Sequence, residues 1–311
     1  MRYGSILSDA IVRAHERRSK KICIQHFRNV SGLTDAKLSE GSQATIYAIT
    51  TPYIMLHERF REVDQSNPDN GNILKLIDRA YETAIGALTL TVLNQIREAE
   101  VLARTLYESS ATCHYIVTKK PSERLVNYFR NYVATERKQN QKWLNDLGNE
   151  TGQWQNEHRQ RIRDKEVALK GYEKFIDGHV EHQNLSVGTS SFPNLFERVS
   201  ETSHKVNYRT VYAAMCSQTH HDAEDILNFY IALSLSGNNY EDLENEANCF
   251  GIYIILTAMV EFVDALKAIG LHFQFSTIQE EAEKSKKSLL LETSKVAPLI
   301  EQFLFPDNWR V

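Results

Sequence analysis

Arg104 and Glu108 are four residues apart in an otherwise apolar stretch, which places them on one face of a predicted helix. Glu100 and Tyr107 lie one turn away on the same face. Charged groups among apolar residues must stay in contact with water or find partners. Arg104 and Glu108 are therefore candidate catalytic residues. The alternative is an i, i+4 ion pair on a solvated stripe.

A second polar set recurs every four residues along another predicted helix: Tyr208, Tyr212, Cys216 and His220. His221 directly follows this set. Histidine is the side chain best suited to acid–base chemistry near neutral pH, so Tyr212, His220 and His221 join the candidate catalytic residues. The alternative is that one histidine is buried and hydrogen-bonded while the other is exposed.

Metal binding is a third hypothesis, because Glu201 and His204 have the i, i+3 spacing of helical di-metal centres. Those centres need this motif twice, together with a Glu on each of two further helices, and the sequence contains one copy. We therefore expect no metal site. The chemistry considered below needs no cofactor.

Charge is unevenly distributed along the chain, whose formal net charge is −4. The segment from Lys119 to Lys174 contains 13 Lys and Arg against 8 Asp and Glu, a net charge of +5, whereas the rest contains 23 against 32, a net charge of −9. This segment is the candidate surface for RNA, with contacts predicted at Arg159, Arg161, Arg163 and Lys165. The alternative is a solvated helix covered with ion pairs.

Several classes of protein are disfavoured by the sequence. There is no Gly-rich phosphate loop, no G-x-S-x-G motif and no H-E-x-x-H motif. Basic residues interrupt the N-terminal region early, so we expect no signal peptide, and the apolar runs 83–96 and 247–260 have only 14 residues each, too few to span a membrane. The four cysteines form no C-x-x-C pair, which favours reduced thiols in the cytoplasm, and the short apolar runs favour no membrane partner.

Apolar residues recur with helical period along most of the chain, and no strand pattern is present, so we predict an all-α multi-helix bundle. Helices are expected over 5–28, 43–63, 73 to about 94, 97–117, 121–147, 153–180, a short stretch after 195, a stretch that begins near 208, 243–269 and 278–305. The second of these helices is expected to break near Pro52, and the third to end at a break near Asn94 and Gln95. We expect a single domain over 1–311. Its core spans about 75–265, and N-terminal helices (1–65) and a C-terminal helix (276–305) pack on it.

Three stretches carry a resemblance to a bacterial family catalogued as domain of unknown function 5677: EAEVLARTLYESSATCHYIV (98–117), NYFRNYVATERK (127–138) and YRTVYAAMCSQTHH (208–221). That family is similar to the wider HEPN group of helical bundles. The resemblance implies a HEPN-like core with extra terminal helices. Many HEPN proteins are metal-independent endoribonucleases in which two protomers build one site.

The HEPN signature is an Arg followed about four to six residues later by a His on the same helix. Here the Arg nearest before His220 is Arg209, eleven positions upstream, so Arg104 from another helix is the expected partner. The hypothesis is RNA cleavage by transesterification, in bacterial defence or a toxin–antitoxin-type stress response. The alternative is a non-catalytic interaction or regulatory subunit. We also expect a homodimer or a higher assembly, because the HEPN resemblance implies one and because the sequence contains aromatic-rich stripes, such as Tyr128, Phe129, Tyr132 and Trp143.

Overall fold

The computed structural model describes residues 18–186, 191–203, 205–213, 215–216, 230 and 239–301. The regular elements in these ranges are all helical, which confirms the predicted all-α multi-helix fold. The described part of α1 covers 18–31. It is followed by α2 (Glu40–Phe60), α3 (Pro68–Val92), α4 (Ile96–Thr118), α5 (Pro121–Leu147), α6 (Gln153–His182), α7 (Leu195–Thr202), α8 (Asn239–His272) and α9 (Ser276–Glu301). Between α7 and α8, one helical turn at Lys205–Asn207 leads into a π-helical turn at Tyr208–Tyr212.

Local sequence signals explain where the first helices start and stop. The side chain of Ser39 accepts a hydrogen bond from the Ser42 amide at the start of α2, and Asn67 caps α3 in the same way ahead of Pro68. The predicted break between α3 and α4 is present, because Asn94 has a left-handed backbone with φ of 59°. The turn at Asn94 therefore sets the start of α4, the helix that presents Arg104.

The predicted break at Pro52 is wrong, because α2 continues through this residue without interruption. A proline in a helix interior removes one backbone hydrogen bond and costs about 3 kcal/mol. Ile49 and Leu56 on either side of it are completely buried in the core. Burial of each such side chain stabilises the fold by about 1.5–3 kcal/mol, and together these contributions offset the proline.

The chain forms two compact units: one contains Met1–Val117 and Leu195–Val311, and the other contains Thr118–Asn194. In the first unit, α8 packs on α9, and α2 contacts both of them as well as α3. Ala103, Leu106 and Ala111 attach α4 to the same core. Two compact units can belong to one domain, so the single-domain organisation stays a prediction.

Helix α8 is the most apolar described element. Its segment Glu244–His272 is long and apolar enough to cross a bilayer by length and composition, but 61% of its apolar window is buried inside the protein. Ile254, Met259 and Phe262 are fully buried members of the core. We therefore assign α8 as the central core helix of the first unit.

The second unit is a helical hairpin made of α5 and α6, which pack against each other with a small core of Val126, Val133, Leu169 and Ile176. Gly148 ends α5 with a positive φ of 55°, a conformation that glycine adopts without strain. Ion pairs connect the two helices beside this core: Arg137 with Glu166 and Glu173, Arg130 with Asp177, and Lys165 with Glu136. The hairpin is thus held by a narrow apolar seam with charged margins.

Asn140 lies on the buried stripe of α5, seven residues after Val133, and is 4% exposed. Neither its amide nitrogen nor its amide oxygen has a hydrogen-bond partner within the described ranges. Since a buried polar group without a partner costs about 1–3 kcal/mol, we expect Asn140→Leu to increase the free energy of unfolding of the hairpin by about that amount. Urea unfolding followed by circular dichroism measures the change. Gln139→Leu at the neighbouring exposed position is the control, and a loss of stability in Asn140→Leu would contradict the prediction.

Candidate functional site

Helix α4 presents Arg104 and Glu108 one turn apart, and the Tyr208–Tyr212 turn brings Tyr212 against them. Arg104 Nε donates to Glu108 Oε1 at 3.0 Å, and the Tyr212 hydroxyl donates to the same oxygen at 2.7 Å. The side chains of Arg104 and Glu108 remain 25% and 40% exposed. The structure therefore joins three of the predicted site residues in one cluster open to solvent, which we call the Arg104 cluster.

Aromatic rings surround this cluster. The Arg104 guanidinium lies over the Tyr212 ring, 5.7 Å from its centroid, a distance typical of a cation–π contact. Tyr212 is itself stacked with Tyr107 and Tyr208, with centroid separations of 6.0 and 5.0 Å. These contacts restrict the orientation of the Tyr212 ring and, through it, of Arg104.

The electrostatics of the cluster fix its protonation states. The hydrogen bond to Glu108 raises the pKa of Arg104, so the guanidinium remains a cation. Burial, together with hydrogen bonds to Glu108 and Cys216, raises the pKa of Tyr212, so its phenol remains a proton donor at neutral pH. A guanidinium has five N–H donors, and its Nε–H is the one that binds Glu108. The Arg104 guanidinium can therefore offer N–H donors other than Nε–H to an anion that approaches from solvent.

The two candidate histidines, His220 and His221, lie outside the described residues. The described chain continues from Tyr212 to Met215, which is buried in the core, and to Cys216, which is half-buried. Cys216 contacts Tyr212 through its thiol and thus belongs to the Arg104 cluster. His204, the histidine of the metal hypothesis, also lies outside the described residues. Within the described ranges, no group of three His, Cys, Asp or Glu residues is placed to hold a metal ion.

A second polar cluster, which the sequence analysis did not identify, is built around Glu261 of α8. Glu261 is 4% exposed; its Oε1 lies 3.2 Å from His114 Nδ1, and its Oε2 accepts a hydrogen bond from the Ser203 hydroxyl at 3.0 Å. One turn along α8, Asp264 pairs with Lys286 of α9 at 2.8 Å. The sequence does contain a signal for this cluster, because the carboxylates of Glu261 and Asp264 interrupt the apolar run that forms α8.

Tyr107 stands between these two clusters. Its ring stacks on Tyr212, while burial and the negative charge of Glu261 raise the pKa of its hydroxyl. This hydroxyl is buried and has no hydrogen-bond partner among the described residues. A buried tyrosine thus connects the solvent-exposed Arg104 cluster with the buried carboxylate of Glu261.

Most of the predicted RNA-contacting residues are occupied by contacts within the hairpin. Arg159 donates to the carbonyl oxygens of Gly148 and Glu150, both at 2.7 Å, and so closes the turn between α5 and α6. Arg163 donates to Gln160, and Lys165 pairs with Glu136. Arg161 is exposed and forms no hydrogen bond or ion pair with the residues that the structure describes.

Comparison with known proteins bears on the same region. A family model described as a family of unknown function (DUF5677) matches residues 73–240. The chain belongs to this family. No curated protein and no solved structure matches the chain. The DUF5677 match contains Arg104, Glu108, Tyr212 and the whole hairpin, whereas Glu261 lies beyond its end.

Proposed function

We propose that this DUF5677 protein is a metal-independent endoribonuclease with a HEPN-like helical core. The observation that carries the proposal is the partly exposed Arg104 guanidinium, held over Tyr212 by its bond to Glu108. A pre-oriented cation is the group that stabilises a phosphorane, on which negative charge accumulates during phosphoryl transfer. His220 follows Tyr212 by eight residues, so a proton-transferring side chain is close in sequence to the cluster.

The proposed reaction is an internal transesterification. His220 or His221 removes the proton of an RNA 2'-hydroxyl, and the 2'-oxygen forms a bond to the adjacent phosphorus while the bond from phosphorus to the 5'-oxygen breaks. The leaving 5'-oxygen takes up a proton from a histidine. The products are a 2',3'-cyclic phosphate and a 5'-hydroxyl. Arg104 binds the non-bridging oxygens, while Glu108 and Tyr212 are positioning residues for Arg104.

RNA is proposed to contact the hairpin as well, because the segment that contains it has the positive surplus of the chain. Arg161 is the best placed of the four predicted contacts, since Arg159, Arg163 and Lys165 are engaged within the hairpin. A cytoplasmic location and a role in bacterial defence or a toxin–antitoxin-type response belong to the same proposal.

A second function is favoured by a specific observation: Glu108 already neutralises Arg104, and its Oε1 accepts hydrogen bonds from both Arg104 and Tyr212. In this alternative, the Arg104 cluster is a structural network and the protein is a non-catalytic interaction or regulatory subunit. The two functions differ in whether Arg104 is needed for a reaction or only for the packing of Tyr212 on α4.

Single-stranded RNA incubated with the purified protein in excess chelator distinguishes them. We expect cleavage with a 2',3'-cyclic phosphate end, and no cleavage of a substrate that lacks the 2'-hydroxyl at the scissile position. Arg104→Gln should reduce the rate about 100-fold to 1,000-fold, as loss of a preorganised donor at a developing negative charge does. Substitution of the proton-transferring histidine, tested as His220→Ala and His221→Ala, should reduce it by about 100-fold or more.

The matched control is Arg79→Gln, which removes an exposed arginine from an i, i+3 pair with Glu82 and should leave the rate unchanged. Circular dichroism spectra of all the variants test whether they keep the fold. A parent protein that does not cleave RNA, or cleavage that survives Arg104→Gln and both histidine substitutions, would overturn the nuclease proposal and favour the interaction subunit.

A further inference from the structure

One face of α6 exposes aromatic side chains that the hairpin core does not use. Phe175 is 77% exposed and Tyr172 is 52% exposed. Tyr132 of α5, 49% exposed, lies beside Tyr172 with ring centroids 6.4 Å apart. Exposed aromatic side chains that form a contiguous patch mark interaction surfaces more often than isolated ones do. We call this surface the Phe175 face.

The same face contains the smallest residues of α6. Ala168, Gly171 and Gly178 recur at helical spacing around Phe175. A Cβ added to Gly171 or Gly178 would meet nothing within 4 Å, and neither glycine has a positive φ. Each glycine costs about 0.5–1 kcal/mol relative to alanine in a helix interior. Packing within the chain therefore does not require these glycines, and they leave shallow depressions beside the aromatic rings.

The charge of the Phe175 face favours a protein over a polyanion. Arg161 and Lys165 contribute two positive charges, and Asp164 on the same side of α6 and Glu136, the partner of Lys165, contribute two negative ones. A surface that tracks a phosphate backbone needs a net positive charge, since release of counterions drives that binding. The Phe175 face is instead apolar and nearly neutral.

We propose that the Phe175 face binds the same face of a second copy of this chain. The face contains both protruding rings and depressions within one helical segment, and such self-complementarity is what a two-fold interface requires. With the two α6 helices antiparallel and the axis between Gly171 and Tyr172, Phe175 meets Ala168 of the partner subunit, and Tyr172 meets Gly171 of the partner subunit. Close approach at the glycines lets the rings interdigitate.

The size of this surface fits a weak, specific dimer. An aromatic side chain buries about 150–250 Å², so the exposed parts of Phe175, Tyr172 and Tyr132 provide roughly 350 Å² per copy. Two copies bury about 700 Å² from these rings alone, and polar residues along the helix margins extend the contact towards the ~1,200 Å² of the smallest specific interfaces. We therefore expect dissociation in the micromolar range.

This interface is independent of the catalytic step of the nuclease proposal, because it uses no residue of the Arg104 cluster, whereas RNA bound at Arg161 would adjoin it. It also reduces the number of aromatic residues, among those named in the sequence analysis, that are available for a homodimer interface. Tyr128 contacts Phe192, Phe129 packs on the hairpin core, and Trp143 contacts His158, so those three rings already have contacts within the second unit. Tyr132, the fourth of these aromatics, belongs to the Phe175 face.

Sedimentation velocity of the full chain at micromolar concentrations tests the interface. As the concentration of the parent rises, its average mass should increase from the chain mass of 35.8 kDa towards twice that value. Phe175→Lys should raise the dimer dissociation constant about 100-fold or more, because each copy loses an apolar anchor and gains a charge at the centre of the contact. Gly171→Gln should do the same by filling the depression, while its higher helix propensity keeps the monomer at least as stable.

Leu291→Lys is the matched control, since Leu291 is an apolar residue of α9 in the first unit, 59% exposed, and is not part of the Phe175 face. It should leave the dissociation constant within about twofold of the parent value. The proposal is overturned by a monomeric parent, by a dimer that persists in both Phe175→Lys and Gly171→Gln, or by equal weakening in Leu291→Lys. A monomeric parent that loses affinity for single-stranded RNA on Phe175→Lys would assign this face to nucleic acid instead.

Discussion

Gly251→Ala is expected to lower the free energy of unfolding of the first unit by about 1–3 kcal/mol, the usual cost of forcing extra volume into a packed core. Gly251 lies within α8, where an added Cβ would collide with Cγ2 of Ile96 and with the carboxylate of Glu100. Ile96 is 4% and Glu100 is 1% exposed, so neither side chain can move into solvent. The same substitution at an open helical position stabilises a protein, because alanine has the higher helix propensity.

Gly71→Ala provides that comparison in the same unit. Gly71 lies in the first turns of α3, and a Cβ there meets nothing within 4 Å. Urea unfolding monitored by circular dichroism should show the transition of the first unit at higher urea in Gly71→Ala and at lower urea in Gly251→Ala. Equal or opposite shifts of the two variants would show that α8 and α4 do not approach as closely as the structure indicates.

Glu261→Ala is expected to destabilise the protein by about 2–5 kcal/mol, the usual cost of truncating a large buried side chain to alanine. The substitution removes the acceptor of the Ser203 hydroxyl and the partner of His114 Nδ1, and it leaves a cavity in the core of the first unit. His114 and Ser203 are themselves partly buried, so water replaces the lost carboxylate incompletely.

A thermal melt of the parent, Glu261→Ala and Glu261→Gln measures this effect. The glutamine keeps the size and one acceptor oxygen of the glutamate, so its melting temperature should lie between those of the parent and Glu261→Ala. Glu82→Ala, which removes an exposed carboxylate from the Arg79 pair, should change stability by less than about 0.5 kcal/mol. If the melting temperature of Glu261→Ala equals that of Glu82→Ala instead of lying well below it, the cluster around Glu261 contributes little to the stability of the fold.

The sequence predicted what depends on neighbours within about one turn. Apolar periodicity placed the helices, Asn94 ended α3, and the i, i+4 spacing of Arg104 and Glu108 predicted their contact on one helix face. The incorrect prediction of a helix break at Pro52 shows the limit of such local reasoning. A break is expected because proline removes one backbone hydrogen bond, but the buried residues on both sides of Pro52 stabilise the helix through a core that forms only on folding.

The number of charged residues in a segment likewise does not show which of those charges are exposed. The positive surplus from Lys119 to Lys174 is a property of composition, but pairing between α5 and α6 decides which of those charges face solvent. Arg137 binds Glu166 and Glu173, which are 29 and 36 residues away. The hydrogen bonds of Arg137 hold the pKa of Glu173 below its usual value. Sequence spacing alone does not select these partners.

The sequence by itself determined the all-α class, most helix boundaries and the polar residues of α4. Tertiary packing decided that Tyr212 donates to Glu108 across 104 residues, and that Glu261 meets His114 across 147 residues. It also decided that Gly251 leaves room for Glu100. Helical periodicity specifies which face of each helix is buried, but it carries no information about which other helix covers that face. That choice depends on the summed packing of the whole core, which no local stretch of sequence encodes.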